Sequence, residues 1–344
     1  MTSLMEGEKC DYLMIMESPP AEVGYWPNGI PEAAPGNGHM QEAQEKKWLG
    51  DVTRLRQEHQ ALIARLARSG VPLIVVPYPK EDVFKENGLT QDIEFLRDPS
   101  LTRPDGTMLL LNMGAPTRRN EPELNKVFFD ALGVPTQTMP KGYHEGGNTR
   151  FFKLDGKTWY ISGTSTRSDA EGLQVVTEFL TEKDPTIRHE CFDLVDGLHL
   201  DCVFTHLVTQ DGVKFFAWMD AFTAPSRRKM EKLAKDLSAP LYPITKADAD
   251  ALTPNQVQWG DEVFASGKYT SKQVQQEAET GVTRHTLDLS QNRFLGGAAH
   301  CLTREVTTQA PIDPKRATAH LQNSGLFQYD ARLRVFNNYG TEKG

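Results

Sequence analysis

Short apolar runs alternate with amphipathic stretches along this chain, and that rhythm constrains its fold more than any other feature. Runs rich in β-branched and aliphatic residues predict strands at 12–16, 72–77, 107–113, 158–163, 203–208, 213–219, 241–244 and 282–289. Helical periodicity predicts helices over 40–68, 121–132, 169–180, 225–236 and 271–279. The first of these is the clearest: Leu55, Leu62, Ile63 and Leu66 recur on one helical face, and Gly70 ends it. Strands interleaved with helices at this spacing give an α/β chain. No Gly/Ser linker or shift in composition divides the 344 residues, so a single domain is expected over 1–307. Two segments stand outside the rhythm. Residues 18–39 are rich in Pro and Gly, and read as either a lid over a site or an ordered surface wrap. Residues 308–344 are polar and form a C-terminal extension, a structural arm or a contact in a homo-oligomer.

The net charge of −8 argues against a nucleic-acid partner, which would require a basic face. The four cysteines, Cys10, Cys191, Cys202 and Cys301, include no CxxC pair and no metal spacing. The acidic N-terminus carries an apolar run of about five residues, too short for a signal peptide or a membrane span. A soluble, cytoplasmic protein with reduced thiols and no membrane contact is expected.

Six short segments carry groups suited to chemistry, and each alone has a plain structural reading. In GGAAHCLTRE (296–305), glycines ahead of Cys301 let backbone approach a ligand, yet an isolated cysteine is more often a small buried hydrophobe. In DGLHLDCVFT (196–205), a strand would point His199 and Asp201 to one face and Cys202 to the other, into the core. FLRDPS (95–100) and HEGGNTR (144–150) offer Asp98 and Glu145 beside chain-bending residues, where turn and surface acids are common. GAPTRRNE (114–121) and SGTSTRSDAEG (162–172) each set an arginine just after a strand, Arg118 and Arg167, with the planar fork that matches a carboxylate.

Taken in order, RDP, GAPTRR, EGGN, GTSTR, HLD and GGxxHC resemble the guanidine-modifying, or pentein, superfamily. Its members include arginine deiminase, dimethylarginine dimethylaminohydrolase, agmatine deiminase and the glycine amidinotransferases. The resemblance runs from about residue 93 to residue 306. It implies a five-bladed, propeller-like ring of ββαβ units around a polar pocket. It also implies a cysteine hydrolase of a small guanidino substrate, needing no metal or organic cofactor. Cys301 would attack the guanidinium carbon, His199 would move protons, and Glu145 would orient His199. Asp98 and Asp201 would grip the guanidinium, and Arg118 and Arg167 would bind the substrate's α-carboxylate. Asn148 stands where many members carry an acid that touches the substrate's amino end.

The reading that follows is hydrolysis of arginine or a close derivative through a cysteine thiouronium, giving citrulline and ammonia or continuing to ornithine. GAPTRR and GTSTR look most like the dimethylarginine hydrolases, whereas RDP and HLD look more like arginine deiminases and amidinotransferases. GGAAHC is similar to agmatine deiminases. Methylated substrate offers fewer N–H donors to two acids, which favours an unmethylated guanidinium. The alternatives are an amidinotransferase passing the amidino group to an amine, and a dimethylarginine dimethylaminohydrolase or agmatine deiminase.

Overall fold

The computed structural model describes residues 12–20, 37–337 and 340–343. Most of the expected lid segment, residues 21–36, and Cys10 lie outside the described residues. Strand β1 (Tyr12–Met16) is an unbroken apolar run, as a strand covered on both faces requires, and its last four residues are fully buried. It pairs in parallel with β2 (Leu73–Val76), reached through α1 (Gly38–Glu45) and α2 (Val52–Arg68). The single helix expected over 40–68 is therefore two. Lys47 and Gly50 take left-handed φ of 48° and 74°, which breaks the helix, and Asp51 caps α2 by accepting the Arg54 N–H.

After α3 (Glu81–Asn87), β3 (Ser100–Thr102) and β4 (Met108–Leu110) pair antiparallel. Helix α4 (Glu121–Leu132) then carries the chain to β5 (Thr136–Thr138), parallel to β4. Its inward stripe is Leu124, Phe128, Phe129 and Leu132, at helical spacing, and Gly133 closes it at φ 69°.

The same order of antiparallel pair, helix and parallel strand recurs in β6 (Thr149–Leu154), β7 (Lys157–Thr164), α5 (Ala170–Thr181) and β8 (Arg188–Asp193). Beyond the short α6 (Leu200–Val203) it returns in β9 (Phe204–Thr209), β10 (Gly212–Ala217), α7 (Ala224–Asp236) and β11 (Leu241–Pro243). Beyond α8 (Lys246–Asp250) it returns in β12 (Val257–Trp259), β13 (Glu262–Ala265), α9 (Lys272–Glu279) and β14 (Thr283–Thr286). Past α10 (Ser290–Arg293), β15 (Thr303–Val306) runs antiparallel to β1. The fifth unit is thus β15, β1, α1–α2 and β2, with strands drawn from both ends of the chain.

Residues beyond 307 extend that sheet. Helix α11 (Pro314–Asn323) packs on α4, β16 (Arg334–Phe336) pairs with β2, and β17 (Glu342–Lys343) pairs with β16. Among the described residues the fold is mixed α/β, with one five-stranded and four three-stranded sheets. No described helix is long and apolar enough to cross a membrane.

Candidate active site

Each unit opens with a segment leading into its first strand, and six of the expected site residues sit in these segments, whereas Arg118 and Arg167 follow β4 and β7. Asp98 and Cys301 each stand two residues ahead of β3 and β15. Glu145 and Asn148 precede β6, and His199 and Asp201 precede β9. Glu145, Asn148, His199 and Asp201 are fully buried, and Asp98 and Cys301 are almost so.

The strand geometry expected for His199 and Asp201 is not what forms. Residues 200–203 make the single turn α6, with extended His199 as its N-cap and Asp201 in its first turn. Asn148 braces that turn: its Oδ1 accepts the Leu200 N–H at 3.1 Å while its Nδ2 donates to Ser165 Oγ at 3.1 Å. The Asn148 amide, expected to face substrate, is thus engaged with protein groups. Cys202 is buried in the core as expected, but its Sγ also lies 3.5 Å from Asp201 Oδ1.

His199 Nε2 hydrogen-bonds Glu145 Oε2 at 2.7 Å. Its Nδ1 has no hydrogen-bond partner and lies 3.7 Å from Asp98 Oδ1. Gly147 makes this approach possible, because a Cβ there would stand 2.7 Å from His199 Nδ1 and 2.8 Å from Asp98 Oδ1. Gly297 does the same for the thiol loop, where a Cβ would meet the Phe95 ring at 2.5 Å and Cys301 Cβ at 2.9 Å. Burial alone would discharge both members of the histidine–glutamate pair. The nearby charges outweigh it: Asp98, Glu145 and Asp201 raise the His199 pKa above its ordinary value. Arg167, His199 and Arg118 hold Glu145 well below the usual carboxylate range.

Cys301 Sγ lies 3.5 Å from Asp201 Oδ2, and that same oxygen is 2.7 Å from His300 Nδ1. Burial would raise the Asp201 pKa, but His300 overrides this and holds it at about 2. The thiol moves the other way. Burial, then Asp201 and Asp98, push the Cys301 pKa well above 9, against a lowering contribution from Asn255.

The two arginines turn inward. Arg167 Nη1 reaches both Glu145 oxygens at 3.1 and 3.2 Å. Arg118 gives its Nε and Nη2 to Glu121 at 2.7 Å each, and its Nη1 to Asp98 Oδ2 at 2.7 Å. In this conformation both guanidinium groups, expected to face a substrate carboxylate, are bound to the site's own acids. Asp98, Glu145 and His199 are also the one described group able to offer three ligand atoms to a metal ion, within 4.8 Å of one another. Glu145 already accepts from Ala115 N, Arg167 and His199.

Sequence reading did not single out four residues that hold this cluster. Asn255 grips Cys301, and His300 holds Asp201. Glu121 neutralises Arg118, three residues away along a helical start. Arg97, next to Asp98, donates its backbone N–H to Cys301 O and its Nε to His300 O while pairing with Glu305. The i, i+3 spacing of Arg118 and Glu121 was a usable signal; the other three contacts join residues far apart in the chain.

A scan of family models matches residues 30–308 to the family described as N,N dimethylarginine dimethylhydrolase, eukaryotic. No curated protein matches the chain. Among solved structures, the substrate-bound N-terminal domain of ArgZ, an arginine dihydrolase from the ornithine-ammonia cycle in Cyanobacteria, is 20% identical with a TM-score of 0.68. That match covers 88% of this chain and 99% of that one. AgrE, solved with ornithine and NAD+, is 21% identical with a TM-score of 0.68, over 87% of this chain but 40% of its own. A dimethylarginine dimethylaminohydrolase adduct with 4-chloro-2-hydroxymethylpyridine is 16% identical with a TM-score of 0.58, over 86% and 98% of the two chains. These likenesses establish the mixed α/β fold of the pentein structures.

Proposed function

The chain belongs to the N,N dimethylarginine dimethylhydrolase family, hydrolases acting on guanidino C–N bonds, and from that premise we propose that it hydrolyses arginine or a close derivative at Cys301. The observation that carries this reading is the Cys301 thiol 3.5 Å from the Asp201 carboxylate, in one buried cluster with Asp98 and the His199–Glu145 pair. We further infer that the five units close into a propeller-like ring, since their leading segments converge on that cluster.

The thiol is held protonated by burial and by two acids. A guanidinium seated between Asp98 and Asp201 offsets their charge, so the arriving substrate favours the thiolate that attacks it, the thiol proton passing to solvent. Sγ bonds to the guanidinium carbon. His199, protonated through its raised pKa, delivers a proton from Nδ1 to the departing nitrogen as the C–N bond breaks and ammonia leaves. Glu145 on Nε2 supports the charged imidazole. Neutral Nδ1 then takes a proton from water, the hydroxyl adds to the thiouronium carbon, and the C–S bond breaks to release citrulline and the thiolate. A second attack of Sγ on the urea carbon of citrulline expels a second ammonia, and hydrolysis of the resulting thiocarbamate gives a carbamate that loses carbon dioxide to leave ornithine. Structures of ArgZ bound to product and covalently to a reaction intermediate support such a course for this fold.

Arg118 and Arg167 remain the groups we assign to a substrate carboxylate. Engaging it requires that they loosen from Asp98 and Glu145, which frees those carboxylates as the substrate cation arrives. The second reading, dimethylarginine as substrate, is favoured by the family model itself. Incubation with arginine, dimethylarginine and agmatine separates them. Arginine is expected to yield ammonia with citrulline or ornithine; a methylamine from dimethylarginine alone would establish the second reading, and no product from any of them would overturn both.

A further inference from the structure

Four of the five units place chemistry-bearing side chains in the segment ahead of their first strand, and the fourth unit in chain order places Asn255 there. Asn255 stands two residues before β12, as Asp98 stands before β3 and Cys301 before β15. It is fully buried, and both side-chain polar atoms and its main-chain carbonyl are turned to the thiol loop, while its backbone N–H donates to Leu252 O. Nδ2 donates to Cys301 Sγ at 3.0 Å. Oδ1 accepts the backbone N–H of Ala298 at 3.1 Å and of Cys301 at 3.2 Å, and the main-chain carbonyl accepts the His300 N–H at 3.3 Å.

We propose that Asn255 is a catalytic residue of this hydrolase: it fixes the direction of Sγ through the loop backbone and stabilises the thiolate by donating an N–H to sulfur. The inference rests on Cys301 acting as the nucleophile, as proposed above. A neutral amide suits the task. It supplies one donor aimed at sulfur in a place where Asp201 and Asp98 both oppose a second negative charge. A cation there would neutralise the acids that the substrate must meet. Arg150, in β6 just beyond the EGGN segment, is a positioning residue behind it. Its Nη2 donates to Pro254 O at 3.0 Å and its Nη1 to Gln256 O at 3.2 Å, which pins the backbone on either side of Asn255. The acid/base segment and the thiol loop are thereby tied through one buried guanidinium.

Asn255→Asp tests this directly. It keeps the shape and both acceptor contacts to the loop backbone, and replaces the donor to sulfur by a carboxylate oxygen. Asn255→Ala removes all side-chain contacts. Alkylation of Cys301 by iodoacetamide, followed by peptide mapping at fixed mildly alkaline pH, should be about tenfold to a hundredfold slower in Asn255→Asp, equivalent to an upward shift of one to two pH units. Its kcat on arginine should fall by a similar factor with KM little changed, and Asn255→Ala should fall at least as far in kcat. A folded Asn255→Asp with unchanged labelling rate and unchanged kcat overturns the inference. Cys301→Ser, assayed alongside, separates the two readings: full activity there overturns the parent reading, whereas an inactive serine variant with an unaffected Asn255→Asp overturns this inference alone.

Discussion

Glu145 ties several groups of the cluster together, because it meets His199, Arg167 and the Ala115 N–H at once. Replacing it by Gln removes the charge that pairs with buried Arg167 Nη1, and breaking a buried pair in this way costs about 3–5 kcal/mol. The pH dependence of that loss has a definite sign. His199 has a raised pKa, so its share is complete below the ordinary 6.5 and is lost as pH rises through the folded value. Glu145 has a lowered pKa, so its share is complete above the ordinary 4.5 and is lost as pH falls through the folded value. The stability gap between wild type and Glu145→Gln, measured by denaturant unfolding, should be widest between about pH 4.5 and 6.5 and narrow on both sides. A gap that does not vary with pH would mean that the pair carries no net charge coupling.

At the scale of elements, the strongest expectation concerns α11, β16 and β17, the part of the chain read from sequence as an extension beyond 307. Ile312, Leu321, Phe327, Leu333 and Val335 are buried against α4 and β2 in one apolar cluster. At roughly 1.5–3 kcal/mol per large side chain, their burial is comparable with the whole stability of an ordinary domain, about 5–15 kcal/mol. Removal of residues 308–344 should therefore abolish cooperative thermal unfolding and leave β2 as an open, apolar edge that aggregates. A truncated protein that is monomeric and melts within a few degrees of the full chain would contradict this. The short elements also explain what sequence reading could not find. Strands β3, β5 and β12 are three residues each, below the length at which a period of two can be recognised. Strand β8, RHECFD, carries charge on nearly alternate positions of a half-exposed strand and reads as loop. The turn α6 was hidden for a different reason: its register is set by Asn148 across the site, which no local pattern encodes.

For the molecule as a whole, the legible part was the order of motifs, and the illegible part was the way they interlock. Asp98, Glu145, His199, Asp201 and Cys301 were each nameable from the sequence and are brought together in one buried cluster. Asn255 was not nameable, since TPNQV carries no motif; it stands out only once the repeated unit is seen and its place is compared with those of Asp98 and Cys301. Five copies of one strand–strand–helix–strand unit, the fifth assembled from both ends of the chain, bring residues from 98 to 301 into one buried cluster although most of them lie far apart in sequence. The central claim is covalent chemistry of the Cys301 thiol on a guanidinium carbon. The direct measurement is acid quenching of the enzyme during turnover of arginine, with peptide mass mapping of every cysteine. The account predicts an adduct of arginine less ammonia on Cys301 and on no other cysteine, absent from Cys301→Ser; an adduct on Cys202 instead, or undiminished ammonia release by Cys301→Ser, would contradict it.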